Sequence, residues 1–164
     1  MTEVDSSFVP LSERTAFLVG QLGFHVGFQF TDALAPLGIG PRQYGMLRLL
    51  HARDGQTQQQ LSDTLRIHRN AMVGLVDDLE KRGLVERRRH PADRRAYAIH
   101  LLPGAYELLA KTEPLVEKQD ASLLEPLDPG ERATLRALLN KVAVGAGLAP
   151  GVHPGLARGM GPTC

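Results

Sequence analysis

The sequence predicts a mainly α protein with one small β-hairpin, an α+β chain. Three observations carry that reading. Apolar residues recur at spacings of three and four through most of residues 11–146. The period switches to two only over residues 85–89 and 96–101. Tryptophan is absent and aromatic residues make up 5% of the chain, which suits aliphatic helix packing better than a β-sandwich.

The elements follow in order. Residues 1–10 are polar and expected to be a loose arm. From Leu11 the pattern is helical, with Leu18, Leu22, Val26 and Phe30 at spacing four, widened by Phe17, Phe24 and Phe28. This helix should end near Pro36-Leu37-Gly38. Gly40-Pro41 restarts a helix, with proline at the first position, where its missing N–H costs nothing. Asp54-Gly55 reads as a turn. Thr57-Gln58-Gln59-Gln60 has the spacing of a capping box, opening a short helix to about Leu65. A second helix starts near His68 and places Met72, Leu75, Val76 and Leu79 inward. Gly83 then supplies a left-handed terminus, followed by the apolar Leu84. Residues 85–89 and 96–101 are the two strands, with the turn-rich His90-Pro91-Ala92-Asp93-Arg94 between them. Pro103 opens a helix to about Leu124. Asp128-Pro129-Gly130-Glu131 starts the last one with an N-cap, a proline and a capping-box glutamate. The final stretch is so rich in glycine and proline that it is expected to be flexible.

Composition bounds the function. A chain of 164 residues favours one domain, and 43% hydrophobic content supports a core. No apolar run approaches the ~20 residues of a membrane helix. The opening MTEVDSSFVP lacks a basic segment and an apolar run, so a secretory signal is not expected and a cytoplasmic location is. Cys164 is the only cysteine, which excludes an intrachain disulfide and a zinc–cysteine site. The six histidines show no close pair at ligand spacing, and neither a metal nor a cofactor is expected. There is no glycine-rich phosphate loop, nucleophile elbow, zinc-protease helix or paired acid constellation, so an enzyme is not expected. A net charge of +1 argues by itself against a nucleic-acid partner, but it hides a segregation. Residues 66–95 hold nine Lys or Arg against five Asp or Glu, while the other residues hold ten against thirteen.

Two short helices joined by a tight turn, followed at once by a basic hairpin, describe a winged helix-turn-helix. A major groove admits one α-helix, whose N-terminal residues reach base edges. The helix starting at His68 presents Arg69 and Asn70 in its first turn. Arginine can bond guanine O6 and N7 in parallel, and asparagine can do the same on adenine N6 and N7. Gly74, one turn on, permits close approach. In the hairpin, Arg87, Arg88, Arg89, Arg94 and Arg95 stand against one acid, Asp93. An arginine at the tip can enter a minor groove. Asp93 is better suited to fixing that tip, by pairing with Arg95 or capping the turn. The candidate DNA-binding set is therefore His68, Arg69, Asn70, Gly74, Arg87, Arg89, Asp93, Arg94 and Arg95. A solvated charged hairpin is the plainer alternative, and a winged helix serving protein interaction is the rival function. Five arginines in the wing argue for DNA.

Leu84-Val85-Glu86-Arg87, then Pro91-x-Asp93-Arg94-Arg95-Ala96, then Leu101 and a helix, resembles the signature of the MarR family of bacterial repressors. The resemblance spans about residues 10–146. It implies a homodimer with interlocking first and last helices, a pseudo-palindromic double-stranded DNA operator, and release of DNA on binding a small aromatic acid or phenol. It also implies a partition into a dimerisation helix over 11–36, a winged helix-turn-helix over 37–102 and C-terminal dimerisation helices over 103–146, and composition sets off the tail over 147–164. Three features depart from the family pattern. His68 stands where serine or threonine often caps the recognition helix, Leu101-Leu102-Pro103-Gly104-Ala105 replaces Leu-Thr-x-x-Gly, and the Gly/Pro tail is extra. For an effector, His25, Phe28, Tyr44 and Arg48 are the candidates. Tyr44 and Arg48, one turn apart, could bind a carboxylate or phenolate. Core packing for His25 and Tyr44, and a surface ion pair for Arg48, are the alternatives. Thiol-based sensing has no suitable cysteine, because Cys164 ends the tail.

Overall fold

The structure is a computed structural model that describes residues 8–158. A single 3₁₀ turn (Leu11–Glu13) leads into helix α1 (Thr15–Leu34). The helix closes in a second 3₁₀ turn, Ala35–Leu37, and the chain leaves through Gly38 at φ +68°. A residue with a Cβ is strained there, so glycine makes this exit cheap. Helix α2 (Pro41–Ala52) starts with Pro41 at its first position, and the Gly40 N–H donates to Gln43 Oε1 at 3.0 Å.

Strand β1 is only Gln56–Thr57, and helix α3 (Gln58–Leu65) follows it directly. The expected capping box is formed. The Gln60 N–H donates to Thr57 Oγ1 at 3.2 Å, and the Thr57 N–H donates to Gln60 Oε1 at 2.8 Å. Helix α4 (Arg69–Lys81) ends as the sequence indicates. Gly83 sits at φ +68°, its N–H donates to the Glu80 carbonyl, and the Leu84 N–H donates to the Leu79 carbonyl, both at 3.0 Å. Strands β2 (Val85–Arg89) and β3 (Tyr97–Leu101) form the hairpin. Helices α5 (Pro103–Leu123) and α6 (Pro129–Gly145) complete the expected order.

The sheet has three strands rather than two, in the order β1–β3–β2, antiparallel throughout. Gln56 faces Ile99 and Thr57 faces Ala98, so the residue that caps α3 also ends a strand. Both Ala98 and Ile99 are buried, because β3 is the central strand and its faces are both covered near β1. Asp54 joins this edge to the hairpin base: its Oδ1 accepts from the Leu101 N–H at 2.9 Å and its Oδ2 meets His100 Nδ1 at 2.7 Å.

The core lies inside the winged helix-turn-helix lobe. It packs Met46, Leu47 and Leu50 of α2 against Leu61 and Leu65 of α3, Met72, Val76 and Leu79 of α4, and Val85, Ile99 and Leu101 of the sheet. Ala105 and Leu109 add the start of α5. In contrast, α1 buries only Leu34 and α6 buries nothing. Among the described residues no helix is long and apolar enough to cross a membrane.

One expectation needs correction. Residues 147–164 do not behave as a flexible tail throughout. A short helix α7 (Gly155–Arg158) docks on α2, and Leu156 is buried in the core. Composition misses this because a single apolar side chain, correctly seated, anchors a segment whose average is polar. Residues 1–7 of the arm and 159–164 of the tail lie outside the described residues.

Candidate nucleic-acid interface

Helix α4 places one face inward and leaves the other open. Met72, Leu75, Val76 and Leu79 hold it to the lobe, while Arg69, Asn70, Val73 and Gly74 are exposed at its N-terminal end. The cap is an imidazole: His68 Nδ1 accepts from the Asn70 N–H at 3.3 Å. This substitutes for the hydroxyl cap, and it requires His68 Nδ1 to be unprotonated. A Cβ at Gly74 would meet nothing within 4 Å, so the position is open to an approaching surface.

The turn between α3 and α4 is held by Arg66 at φ +53°, with the Ile67 N–H donating to the Ser62 carbonyl at 3.1 Å. Beside it, Gln58, Gln59, Arg69 and Val73 line a cavity of about 120 Å³. Sequence reasoning did not select Gln58, Gln59 or Val73. Val73 is 41% exposed on an otherwise polar face. An apolar residue there suits a thymine methyl, and the signal was its place between Asn70 and Gly74, off the core stripe.

The wing tip is closed by its own hydrogen bonds. The His90 N–H donates to the Ala96 carbonyl at 3.0 Å, and the Ala92 N–H donates to His90 Nδ1 at 3.2 Å. Asp93 caps the turn, with Oδ1 accepting from the Arg95 N–H at 2.9 Å. Of the two roles open to Asp93, capping is the one formed. Arg89 spans the hairpin, its Nη1 donating to the Arg94 carbonyl at 3.1 Å, and its guanidinium lies 5.8 Å from the ring centre of Tyr97. Arg94 and Arg95 are exposed. Among the described residues neither they nor Arg66 and Arg69 hold an ion pair. Arg88 is paired with Glu86 of its own strand.

Arg87 is the exception among the expected contacts. Its guanidinium turns back to the recognition helix, with Nη2 2.5 Å from Asp77 Oδ1, Nη1 on Glu80 Oε2, and Nε 3.4 Å from Gln58 Oε1. The Arg87 N–H also donates to Glu80 Oε1 at 3.0 Å. Burial opposes the charge, but the hydrogen bonds and charges of Asp77 and Glu80 outweigh it and raise the pKa above the ordinary arginine value. Arg87 therefore ties the wing to α4 and α3, and is not among the cations left open to DNA. Spacing could not reveal this, because Asp77 and Glu80 also lie on a helix face that looks solvated in sequence.

The candidate effector residues fall into two groups. His25 and Phe28 are exposed on α1, with Phe28 edge-on to Phe24 at 4.7 Å. His25 is thus not a buried histidine. Tyr44 packs edge-on against Phe30 at 5.1 Å, and Arg48 pairs with Glu113 of α5 at 2.8 Å. Burial raises the Tyr44 pKa, with Arg48 opposing and Glu113 adding to the shift, so the phenol stays a neutral donor.

The MarR family model matches residues 37–96, from the turn before α2 to the end of the wing tip. A protein of Thauera aromatica, named as a candidate transcriptional regulatory protein for the hcr operon, is 34% identical, over 76% of this chain and 80% of that protein. The chain belongs to the MarR family. The solved structure of the transcriptional repressor CouR bound to a 23-mer DNA duplex matches with a TM-score of 0.73 at 32% identity, covering 84% of this chain and 99% of that one. CouR from Rhodococcus jostii RHA1 bound to p-coumaroyl-CoA matches with a TM-score of 0.70 at 29% identity, covering 83% and 96%. This MarR-family chain is a DNA-binding transcriptional regulator with a winged helix, and it is not an enzyme.

Proposed function

We propose that the regulator is a cytoplasmic homodimeric repressor that binds a pseudo-palindromic operator and releases it when a small aromatic acid or phenol binds. One observation carries the DNA mode: the first turn of α4 and the wing tip both end in exposed side chains, with Arg69, Arg94 and Arg95 free of ion pairs among the described residues. Arg69 and Asn70 read base edges in the major groove, and Arg94 and Arg95 reach the flanking minor groove or its phosphates. Gly74 and Val73 line the closest approach, while His68, Asp93, Arg89 and Arg87 hold the reading groups in place. The DNA-bound relative CouR supports this reading.

The homodimer rests on unpartnered apolar faces. Leu22 and Phe24 of α1 are 53% and 68% exposed, and Leu138 and Val142 of α6 are 56% and 65% exposed. Leaving such faces in water forfeits about 25 cal/mol per Å², so a second copy is their natural cover. Residues 11–36 and 103–146 are the dimerisation elements in this reading. The effector seat is Tyr44 with Arg48, where an anionic ligand competes with Glu113 for the guanidinium. His25 and Phe28 join it only if the partner's first helix brings them there. The complex of CouR with p-coumaroyl-CoA favours a phenolic ligand.

The test is selection of operators from random DNA with the full chain, followed by titration and sedimentation. Two half-sites one helical turn apart, about 34 Å, with a dimer bound, are expected. A monomer without sequence preference would favour the protein-interaction alternative. Phenolic acids and their thioesters should weaken the complex, and an Arg48→Ala chain should lose that response.

A further inference from the structure

Helix α6 buries no residue within the protomer, so its own packing does not position it. Its C-terminus does not simply end. Gly147 sits at φ +72°, and the Gly147 and Leu148 N–H groups return to the Val144 and Ala143 carbonyls at 2.9 and 3.0 Å. The chain turns again at Gly151, φ +71°, and comes back onto α2. Val152 packs against the core, and Leu156 lies within it at 5% exposure. Arg42 Nε donates to the Leu156 carbonyl at 2.8 Å. The segment is fastened internally as well: the Gly155 N–H donates to His153 Nδ1, and the Leu156 N–H to the His153 carbonyl, both at 3.0 Å.

Leu156 is seated directly over position 45, which has no side chain. A Cβ there would lie 2.9 Å from Leu156 Cδ1. Glycine inside a helix is unfavourable relative to nearly every other residue. In α2 that loss has a structural return, since the missing side chain is the notch that Leu156 fills. The notch and the plug come from residues more than a hundred positions apart, one on the DNA-binding lobe and one beyond α6.

We infer that residues 149–156 are an intramolecular strap, which holds the DNA-binding lobe and α6 in one relative orientation by seating Leu156 in the Gly45 notch. Within one copy of the chain, the covalent path from α6 back to the lobe otherwise runs through the Leu124–Asp128 turn and α5. A lobe free to reorient has more conformations to lose when two half-sites must be met together, so the strap favours DNA binding by pre-organisation. It is held by Leu156, by Val152 against the core and by the hydrogen bond from Arg42 to the Leu156 carbonyl, all at the edge of α2. Opening it is therefore a local event, well below global unfolding. This operator arm of the inference rests on the proposed DNA-binding mode; the strap itself does not.

The test uses the full chain, Leu156→Asp, Gly45→Gln and the double variant. Leu156→Asp puts a charge in the seat, and Gly45→Gln fills the notch from the other side. Amide hydrogen exchange of residues 152–156 should speed up at least about tenfold in both single variants. Binding to the operator selected with the unaltered chain should weaken about three- to tenfold, with the dimer intact. The double variant should match the singles, because all three remove one contact. Gly45→Gln should raise the melting temperature in the Leu156→Asp background and fail to do so in the unaltered chain. Unchanged exchange in both single variants would overturn the strap. Faster exchange with unchanged operator affinity would overturn its role in DNA binding. If the unaltered chain binds no DNA, the proposed function fails, and the exchange result alone decides the strap.

Discussion

Arg66 stands at φ +53°, where a side chain crowds the following carbonyl, and it is the only such non-glycine among the described residues. It closes the turn between α3 and α4, so its strain is spent on the angle of the recognition helix. Arg66→Gly should stabilise the fold by about 0.5–1 kcal/mol in chemical denaturation, because relief of the left-handed strain exceeds the added chain entropy. A loss of stability would mean that the arginine side chain does more for the fold than its lack of ion pairs among the described residues indicates. The same residue-level view separates the wing arginines. Five look alike in sequence, yet Arg87 faces two carboxylates, Arg88 faces Glu86, Arg89 braces the turn, and among the described residues the Arg94 and Arg95 side chains hold no ion pair. The sequence announces a basic wing. It does not say which cations are already neutralised, because pairing depends on how the strand crosses α4.

The recognition helix and the wing act as one element joined through Arg87. Arg87→Met keeps the bulk of the side chain and removes its bonds to Asp77 and Glu80. It should weaken operator binding about tenfold while leaving the slope of log affinity against log salt unchanged, since no phosphate contact is lost. A slope shallower by about two, one arginine from each subunit, would instead make Arg87 a phosphate contact. Most element boundaries were legible in sequence, because they are written in local chemistry: Pro41, Thr57 with Gln60, Gly83, Pro103, and Asp128 with Glu131 all begin or end helices as expected. Strand β1 was not legible. Two residues are too few for a period, and its identity depends on pairing with β3 more than forty positions away. The docked segment at Leu156 was hidden for the same reason. So was the division of the effector candidates, whose separate faces on α1 and α2 are set by helix packing.

The whole protomer has one well-packed lobe and two helices with apolar faces open. Phe24, Phe28, Leu138 and Val142 are each at least 46% exposed. Leu138→Asp with Val142→Asp should yield a folded monomer at micromolar concentration by sedimentation, because α6 contributes nothing buried to the lobe. Such a monomer should bind a full operator on the order of a hundredfold more weakly, having lost the second linked half-site. A variant that stays dimeric would move the interface off α6. The charge pattern belongs to the whole molecule too. The net +1 conceals a surplus of basic residues over 66–95, and dimerisation would present that surplus twice. The decisive measurement is a salt titration of operator binding for the unaltered chain, Asn70→Ala, and Arg94→Ala with Arg95→Ala, each paired with operator selection. The wing variant should lose affinity on all sequences and show a slope shallower by about four, two arginines from each of two subunits, while Asn70→Ala should keep its slope and select different bases. Equal affinity, slope and selected sequence in all three chains would contradict DNA recognition through α4 and the wing.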